Sequence, residues 1–472
     1  MTGIVENVGT FSLFLFAMLS LLMWYFVAKW ADPIVRLPLT FYCGFYFATT
    51  LIGATLIGLS DSRCLEPLAW GLDFRILRDV NNVRYWWLLF MPMIVPPAMI
   101  LLANKSKIIE TAVRGTAIRL NAVPSPMAFI AVFCLWSGYC LGKLYLTGQI
   151  GTIFKWQSHR GDYVSMILQR TEMAGMLGSV FFGLVYITLP MLSFYALYCA
   201  IRLPGLTWKA IFCGSAFMTS VISLSLMQKG PVLLFFVFIG IGLVELKVIK
   251  IRSLAIVGAG LVFLLTTLQR FMADTWSYEQ TFNLIVFRMA HSYPYYVNIY
   301  PDVLPFFGVD LGLHLIGMGE IASDNNIVFD YMYPYCDWVQ GAAPGPAHVR
   351  AYGQGGLLFA FVTLSLIGLG IKMAGVLRRH IGGPLSFSLY MASLVCMYFL
   401  TQTSAREALL SCYGICWAMP GIVPLWLLSS PARVVPTALK AKPPVTTARP
   451  ARRPPVTLKA MNASLQGNRR VA

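Results

Sequence analysis

The sequence predicts an all-α fold: a polytopic integral membrane protein of about eleven transmembrane helices with one large extracytoplasmic loop late in the chain. Three observations carry this. Of the 472 residues, 58% are hydrophobic and only 12% charged, with a mean hydropathy of +0.69; an ordinary soluble domain has roughly 25% charged residues. Apolar runs near the ~20 residues that cross a ~30 Å hydrocarbon core recur along the chain. Lys and Arg are shared unevenly between alternate loops, the asymmetry that sets orientation in a membrane. Soluble globular, fibrous and disordered classes are excluded for the body of the chain.

The first apolar run, 10–28, is preceded by Glu6 as the only charged side chain. It lacks the basic n-region of a cleavable signal peptide and exceeds a ~7–15 residue h-region, so it reads as a retained span. Further runs follow at 37–59, 85–103, 126–147, 176–200, 208–227, 231–246 and 253–268. The turn at Gln228-Lys229-Gly230-Pro231 is very tight, and the two runs after it are the shortest. Residues 269–354 then form the one long polar gap, and runs at 356–377, 384–402 and 409–429 complete the membrane body, residues 1–430. Residues 431–472 are rich in Pro, Lys, Arg and Thr and read as a disordered basic cytoplasmic tail.

Orientation follows from charge. With the tail inside, the loops holding Lys29 and Arg36, Lys105 to Arg119, Arg202 and Lys209, Lys247 to Arg252, and Lys372 to Arg379 fall on the same side. That side holds 23 of the 36 basic residues and three acids, Asp32, Glu110 and Glu245. An odd number of spans results, with the N-terminus out, the C-terminus in, and the 269–354 loop outside. The net charge of +17 therefore points to anionic lipid headgroups rather than to nucleic acid.

The long gap contains eight acids but only Arg270, Arg288 and Arg350 as strong bases, three of the five histidines, and the run His291-Ser-Tyr-Pro-Tyr-Tyr-Val-Asn-Ile-Tyr300. It is too aromatic for disorder and reads as a folded, water-facing cap. Cys64 and Cys336 are the cysteines placed in outer loops, where a disulfide is open in an oxidising compartment. No Cys/His metal spacing, P-loop or GxSxG motif is present.

Cations on the translocated side run against the positive-inside bias. Arg160, Lys229, Arg288, Arg350 and Arg406 all fall in outer segments, Arg288 and Arg350 in the long gap. Arg forks match phosphate oxygens bidentately and Lys serves as a point charge, so together they suit a lipid-linked pyrophosphate. Salt bridges to loop acids, an Arg406–Glu407 pair or lipid contacts are the plainer readings. His348, in Ala343-Pro-Gly-Pro-Ala-His348-Val-Arg350-Ala-Tyr352, is expected at the water–membrane boundary, where imidazole can act as acid or base; a purely structural histidine is the alternative. Tyr293, Tyr295, Tyr296, Tyr300 and the gap's other aromatics could pack on sugar faces or form an interfacial belt.

These segments resemble the Wzy-like polymerases of O-antigen and capsule repeat units. Gly148-Gln-Ile-Gly151 through His159-Arg160 and Tyr163 is similar to that family's Gly-rich entry to an outer loop. Gln228-Lys229-Gly230-Pro231 is similar to its basic entry to a span. Pro346 through Tyr352-Gly-Gln354-Gly-Gly356 is similar to its Pro-rich segment followed by Tyr, an amide and Gly. Gln228 stands where the family often has Ser, and Arg350 where it often has an acid.

The resemblance implies an inverting glycosyl transfer in a bacterial inner membrane that joins undecaprenyl-pyrophosphate-linked oligosaccharides. Its partners are that lipid-linked glycan, membrane lipid and a chain-length regulator protein, with no cofactor, no metal and no nucleic acid. It implies His348 and Arg288 as catalytic residues, and Lys229, Arg160, Arg350, Arg406 and Tyr352 as contacts to pyrophosphate or glycan. A histidine before a Gly-containing span is also similar to O-antigen ligases, although Val349 replaces their Asn and Tyr352 lies four residues on rather than three. Two further readings are a flippase or other transporter of lipid-linked glycans and a polyprenyl-monophosphate-dependent glycosyltransferase. The first expects internal repeats and the second an acidic pair in the first outer loop, where Asp61-Ser-Arg-Cys-Leu-Glu66 is a poor match.

Overall fold

A computed structural model describes residues 2–60, 64–65, 72–73, 77, 80–119, 125–153, 163–226, 229–250, 252–253, 256, 258, 260, 263, 286–287, 289–306, 324–335, 341–411 and 413–429. Among these the chain is helical, with no strand. Two units emerge, Met1–Ala432 and Arg433–Ala472; the second, which contains nearly all of the expected tail, lies outside the described residues.

Helix α1 (Thr2–Trp30) is apolar on nearly every side. Helix α2 (Pro33–Leu59) starts where Asp32 caps it, the carboxylate accepting from the Ile34 amide at 3.1 Å, with proline in the first turn. Helix α3 (Val83–Leu102) is capped by Asn82, whose side chain accepts from the Tyr85 amide at 2.8 Å. The amphipathic helix α4 (Lys107–Arg119) follows, then α5 (Pro126–Leu146), capped by Ser125. Helices α6 (Tyr163–Gly183) and α7 (Leu189–Arg202) join through a π-helical turn at Leu184–Thr188. Then come α8 (Thr207–Leu224) and α9 (Lys229–Glu245). Two short helices, α10 (Tyr293–Ile299) and α11 (Asp324–Met332), are the helical parts described between residues 289 and 335. The long α12 (Ala347–Arg379), α13 (Pro384–Phe399), the short α14 (Ala405–Leu410) and α15 (Met419–Leu427) end the described chain.

Among the described residues, eight helices are long and apolar enough to cross a membrane by length and composition, and Gly230–Glu245 and Pro384–Phe399 are shorter apolar helices. The sequence expects about eleven spans. The expected run 253–268 lies largely outside the described residues, as does nearly half of the 269–354 gap.

Helix α12 is the spine. It packs on α3, α2 and α4, while α13 packs on α7 and α2. Gly368 permits the α3 contact: a Cβ there would lie 3.0 Å from the Pro96 carbonyl oxygen and 3.1 Å from the Pro96 Cα, so backbone meets backbone. Near its start α12 bends at Gly355 and Gly356, the latter with φ 73° and ψ −160°, a conformation almost confined to glycine. The apolar run beginning at residue 356 is therefore only the second part of this helix. Its first two turns, Ala347–Gln354, are a separately oriented segment, and they carry His348, Arg350 and Tyr352.

Candidate functional site

The segment before α12 is an extended strap, Gly341–Pro346, whose prolines and glycines keep it from being helical. Its backbone is held on both sides. The Ala343 amide donates to the Asn325 carbonyl at 2.9 Å, tying it to α11. The Gly345 amide donates to Gln402 at 3.1 Å, and the Ala347 amide to Leu400 at 2.9 Å, tying it to the loop before α14. Helix α10 covers it: the Tyr296 hydroxyl donates to the Ala343 carbonyl at 3.2 Å, and Ser292 to that of Pro344.

At the centre of this junction is Arg350, 3% exposed. Its Nε donates to Asp324 Oδ2 at 2.8 Å, and Nη2 donates to Asp324 Oδ1. Nη1 donates to Glu407 Oε2 at 2.5 Å. The Thr403 hydroxyl donates to the same Glu407 oxygen, and Ser404 caps α14 by accepting from the Glu407 amide at 3.2 Å. One guanidinium thus joins α11, α12 and α14 inside the protein. Asp324 is 4% exposed, so both partners of the bidentate pair are out of water, where the loss of either leaves an uncompensated charge. Arg350, expected to meet a pyrophosphate, has its donors committed to two carboxylates that would repel one.

His348 is 0% exposed. The sequence expects it at the water boundary; the structure places it inside, because the first turn of α12 packs against α3. Nε2 lies 3.1 Å from the Leu88 carbonyl oxygen. A carbonyl only accepts, so we assign the ring hydrogen to Nε2. Nδ1 then carries the lone pair, and it has no hydrogen-bond partner among the described residues. The ring stands edge-on to Tyr46, with centroids 5.5 Å apart and planes at 72°. Tyr352 is 2% exposed and donates to the Tyr300 carbonyl at 2.9 Å.

The tyrosines of the aromatic run are core residues. Tyr293, Tyr295 and Tyr296 are 0% exposed and Tyr300 is 1% exposed. Tyr293 donates to the Tyr85 carbonyl and Tyr295 to that of Asp73, each at 2.9 Å. Burial, then the Asp324 carboxylate, pushes the Tyr300 hydroxyl up to about 12. These four rings present no face to a sugar in this arrangement, whereas Tyr335 is well exposed. Trp276, Tyr278 and Trp338 lie outside the described residues.

Of the five expected outer cations, Arg160 and Arg288 lie outside the described residues, and Lys229 is placed only as the first residue of α9. Arg406 is half-buried on α14, beside Glu407. The structure therefore brings His348, Arg350, Tyr352, Arg406 and Glu407 to one end of the bundle. It adds Asp324, and also Arg84 at the start of α3, which pairs with Asp302 at 2.5 Å and holds that carboxyl below the usual aspartate range. Sequence reasoning noticed the excess of acids in the gap but not which acid Arg350 would meet. Cys64 is a free thiol, and Cys336 lies outside the described residues. Among the described residues no group of three His, Cys, Asp or Glu side chains could hold a metal ion.

Searches of family models, curated proteins and solved structures find no match to this chain.

Proposed function

We propose that the chain is a membrane glycosyltransferase that polymerises undecaprenyl-pyrophosphate-linked oligosaccharide repeat units at the extracytoplasmic face of a bacterial inner membrane. The observation that carries this reading is the junction around Arg350. Two segments that the sequence separates by about fifty residues, the Pro-rich approach to Tyr352 and the Thr401–Glu407 loop, are bonded to each other and to a helix of the late polar gap. Both were singled out by their out-of-place polar chemistry, and the first carries the resemblance to repeat-unit polymerases.

In this reading a sugar hydroxyl of one lipid-linked unit attacks the anomeric carbon of the growing glycan. The new C–O bond forms as the bond to undecaprenyl pyrophosphate breaks, and the pyrophosphate leaves with the electron pair. Arg160, Lys229, Arg288 and Arg406 stabilise the charge developing on it. The hydroxyl proton passes to His348, whose Nδ1 holds a lone pair that meets no donor among the described residues. Arg350 acts as a positioning residue that fixes the turn bearing His348. Because His348 is buried against Leu88 and Tyr46, the packing around it has to open for substrate to reach it. Arg350 shares its donors with carboxylates and takes no direct part in binding phosphate.

Glycan profiling of a deletion strain tests the proposal. Loss of the long ladder with single units still transferred supports a polymerase. Long lipid-linked glycan that never reaches its final carrier means a ligase, and repeat units trapped on the inner leaflet mean a flippase; either outcome overturns it.

A further inference from the structure

An apolar groove of about 500 Å³ lies between α12 and α13 and reaches α4 at one end and α14 at the other. On α12 it extends from Thr363 to Leu377, which at 1.5 Å per residue is about 21 Å. That length takes one extended lipid tail from headgroup level past the middle of a ~30 Å hydrocarbon core. Two of its polar side chains are turned away: Ser393 donates to the Tyr390 carbonyl at 2.6 Å, and Cys396 to that of Ala408 at 3.1 Å. The wall therefore recognises hydrocarbon and little else.

Charge decides which end receives a headgroup. At the α14 end Arg350 is already matched by Asp324 and Glu407, and Arg406 sits beside Glu407 as part of the transferase reading. At the α4 end, Arg378 pairs with Glu245 at 2.8 Å, and Arg379 with Glu110 at 3.0 Å and with Asp32. Among the described residues, Arg114 and His380 there are uncommitted. Arg114, next to the groove-lining Val113, is exposed and has no hydrogen bond or ion pair among the described residues. His380, just past the end of α12, has a buried Nε2 with no hydrogen-bond partner among the described residues. Burial first, then the Arg114 and Arg379 guanidinium groups, hold the His380 ring below the usual histidine range, with Glu110 opposing. Both guanidinium groups thus act on the His380 ring, and the mouth favours an anion.

We propose that the groove and its Arg114–His380 mouth bind one anionic phospholipid, with the phosphate on Arg114 and His380 and an acyl chain lying along α12 and α13. This end carries the basic loops expected to face the cytoplasm, where basic pockets between membrane helices meet anionic headgroups. The lipid ties α4 to the spine. The mouth lies at the opposite end of α12 from His348, so headgroup binding there stands apart from the transferase reading.

The full-length protein, purified in detergent, is mixed with phosphatidylglycerol or phosphatidylcholine, and retained lipid is counted by native mass spectrometry. One phosphatidylglycerol should be held in preference to phosphatidylcholine. Arg114→Ala, at an exposed position, should weaken that binding about fivefold, equivalent to the ~1 kcal/mol that one basic residue contributes beside anionic lipid. Gly370→Leu, where an added Cβ meets open space in the groove wall, should remove the bound lipid. Equal retention of the two lipids, or Arg114→Ala binding unchanged, overturns the proposal. So does displacement of phosphatidylglycerol by undecaprenyl phosphate that depends on Arg406 rather than Arg114, which would assign the groove to a substrate tail.

Discussion

Arg350 holds two acids from different elements, and its shape matters as much as its charge. A guanidinium can grip Asp324 with two parallel hydrogen bonds and still reach Glu407 with a third donor; an ammonium cannot reproduce that fork. Arg350→Ala leaves two carboxylates facing each other in the interior and should cost about 3–5 kcal/mol of stability. Adding Asp324→Ala should recover part of that loss, so a double-mutant cycle read by unfolding in detergent should show strong coupling. Strict additivity would mean that the pair carries no stability. Arg350→Lys should be intermediate.

His348 is tested separately. Its bond to Leu88 can be kept by glutamine, which preserves a donor but not a base. If the imidazole takes the proton, His348→Ala and His348→Gln should both lower turnover ~10²–10⁴-fold with normal membrane insertion. Near-normal turnover of the Gln variant would make His348 structural. The composition of the late gap marked these residues as unusual, and it misjudged their setting. Tyrosine is equally at home stacking on a sugar or buried with its hydroxyl on a carbonyl, and the sequence pattern does not separate the two. Nor could it say that Asp324, among eight acids, is the one that meets Arg350, since that depends on how α11 docks.

At the level of elements, the long helices were legible because an apolar run of this length has few alternatives. Their starts were less so. The run 37–59 is preceded by a further turn because Asp32 and Pro33 begin α2 early. Helix α12 begins nine residues before its apolar run because Gly355 and Gly356 let a polar helical segment join at an angle. That joint sets the direction of His348 and Arg350. Gly356→Ala forces a side chain into a glycine-only conformation and brings its Cβ to 3.1 Å from Phe306. It should cost about 1–3 kcal/mol and lower the unfolding temperature. A variant as stable as the parent would show that the bend can relax.

For the whole molecule, the charge asymmetry between alternate loops is a property of the entire chain rather than of any one helix, and it makes orientation testable. Reporter fusions at residues 340 and 440 should report opposite compartments, the first outside and the second inside. The same compartment for both would contradict the expected topology and move the Arg350 junction away from the face proposed for glycan joining. The spread of polar motifs over many segments is what a site built between membrane helices requires, and it is why short motifs alone could suggest a class while leaving the geometry to the fold.

The most direct test is reconstitution of the purified chain into proteoliposomes with synthetic undecaprenyl-pyrophosphate-linked repeat units as the sole substrate. Glycans of two or more repeats should form, with one undecaprenyl pyrophosphate released for each linkage. Folded protein that neither extends the glycan nor releases undecaprenyl pyrophosphate would contradict the proposed polymerase activity.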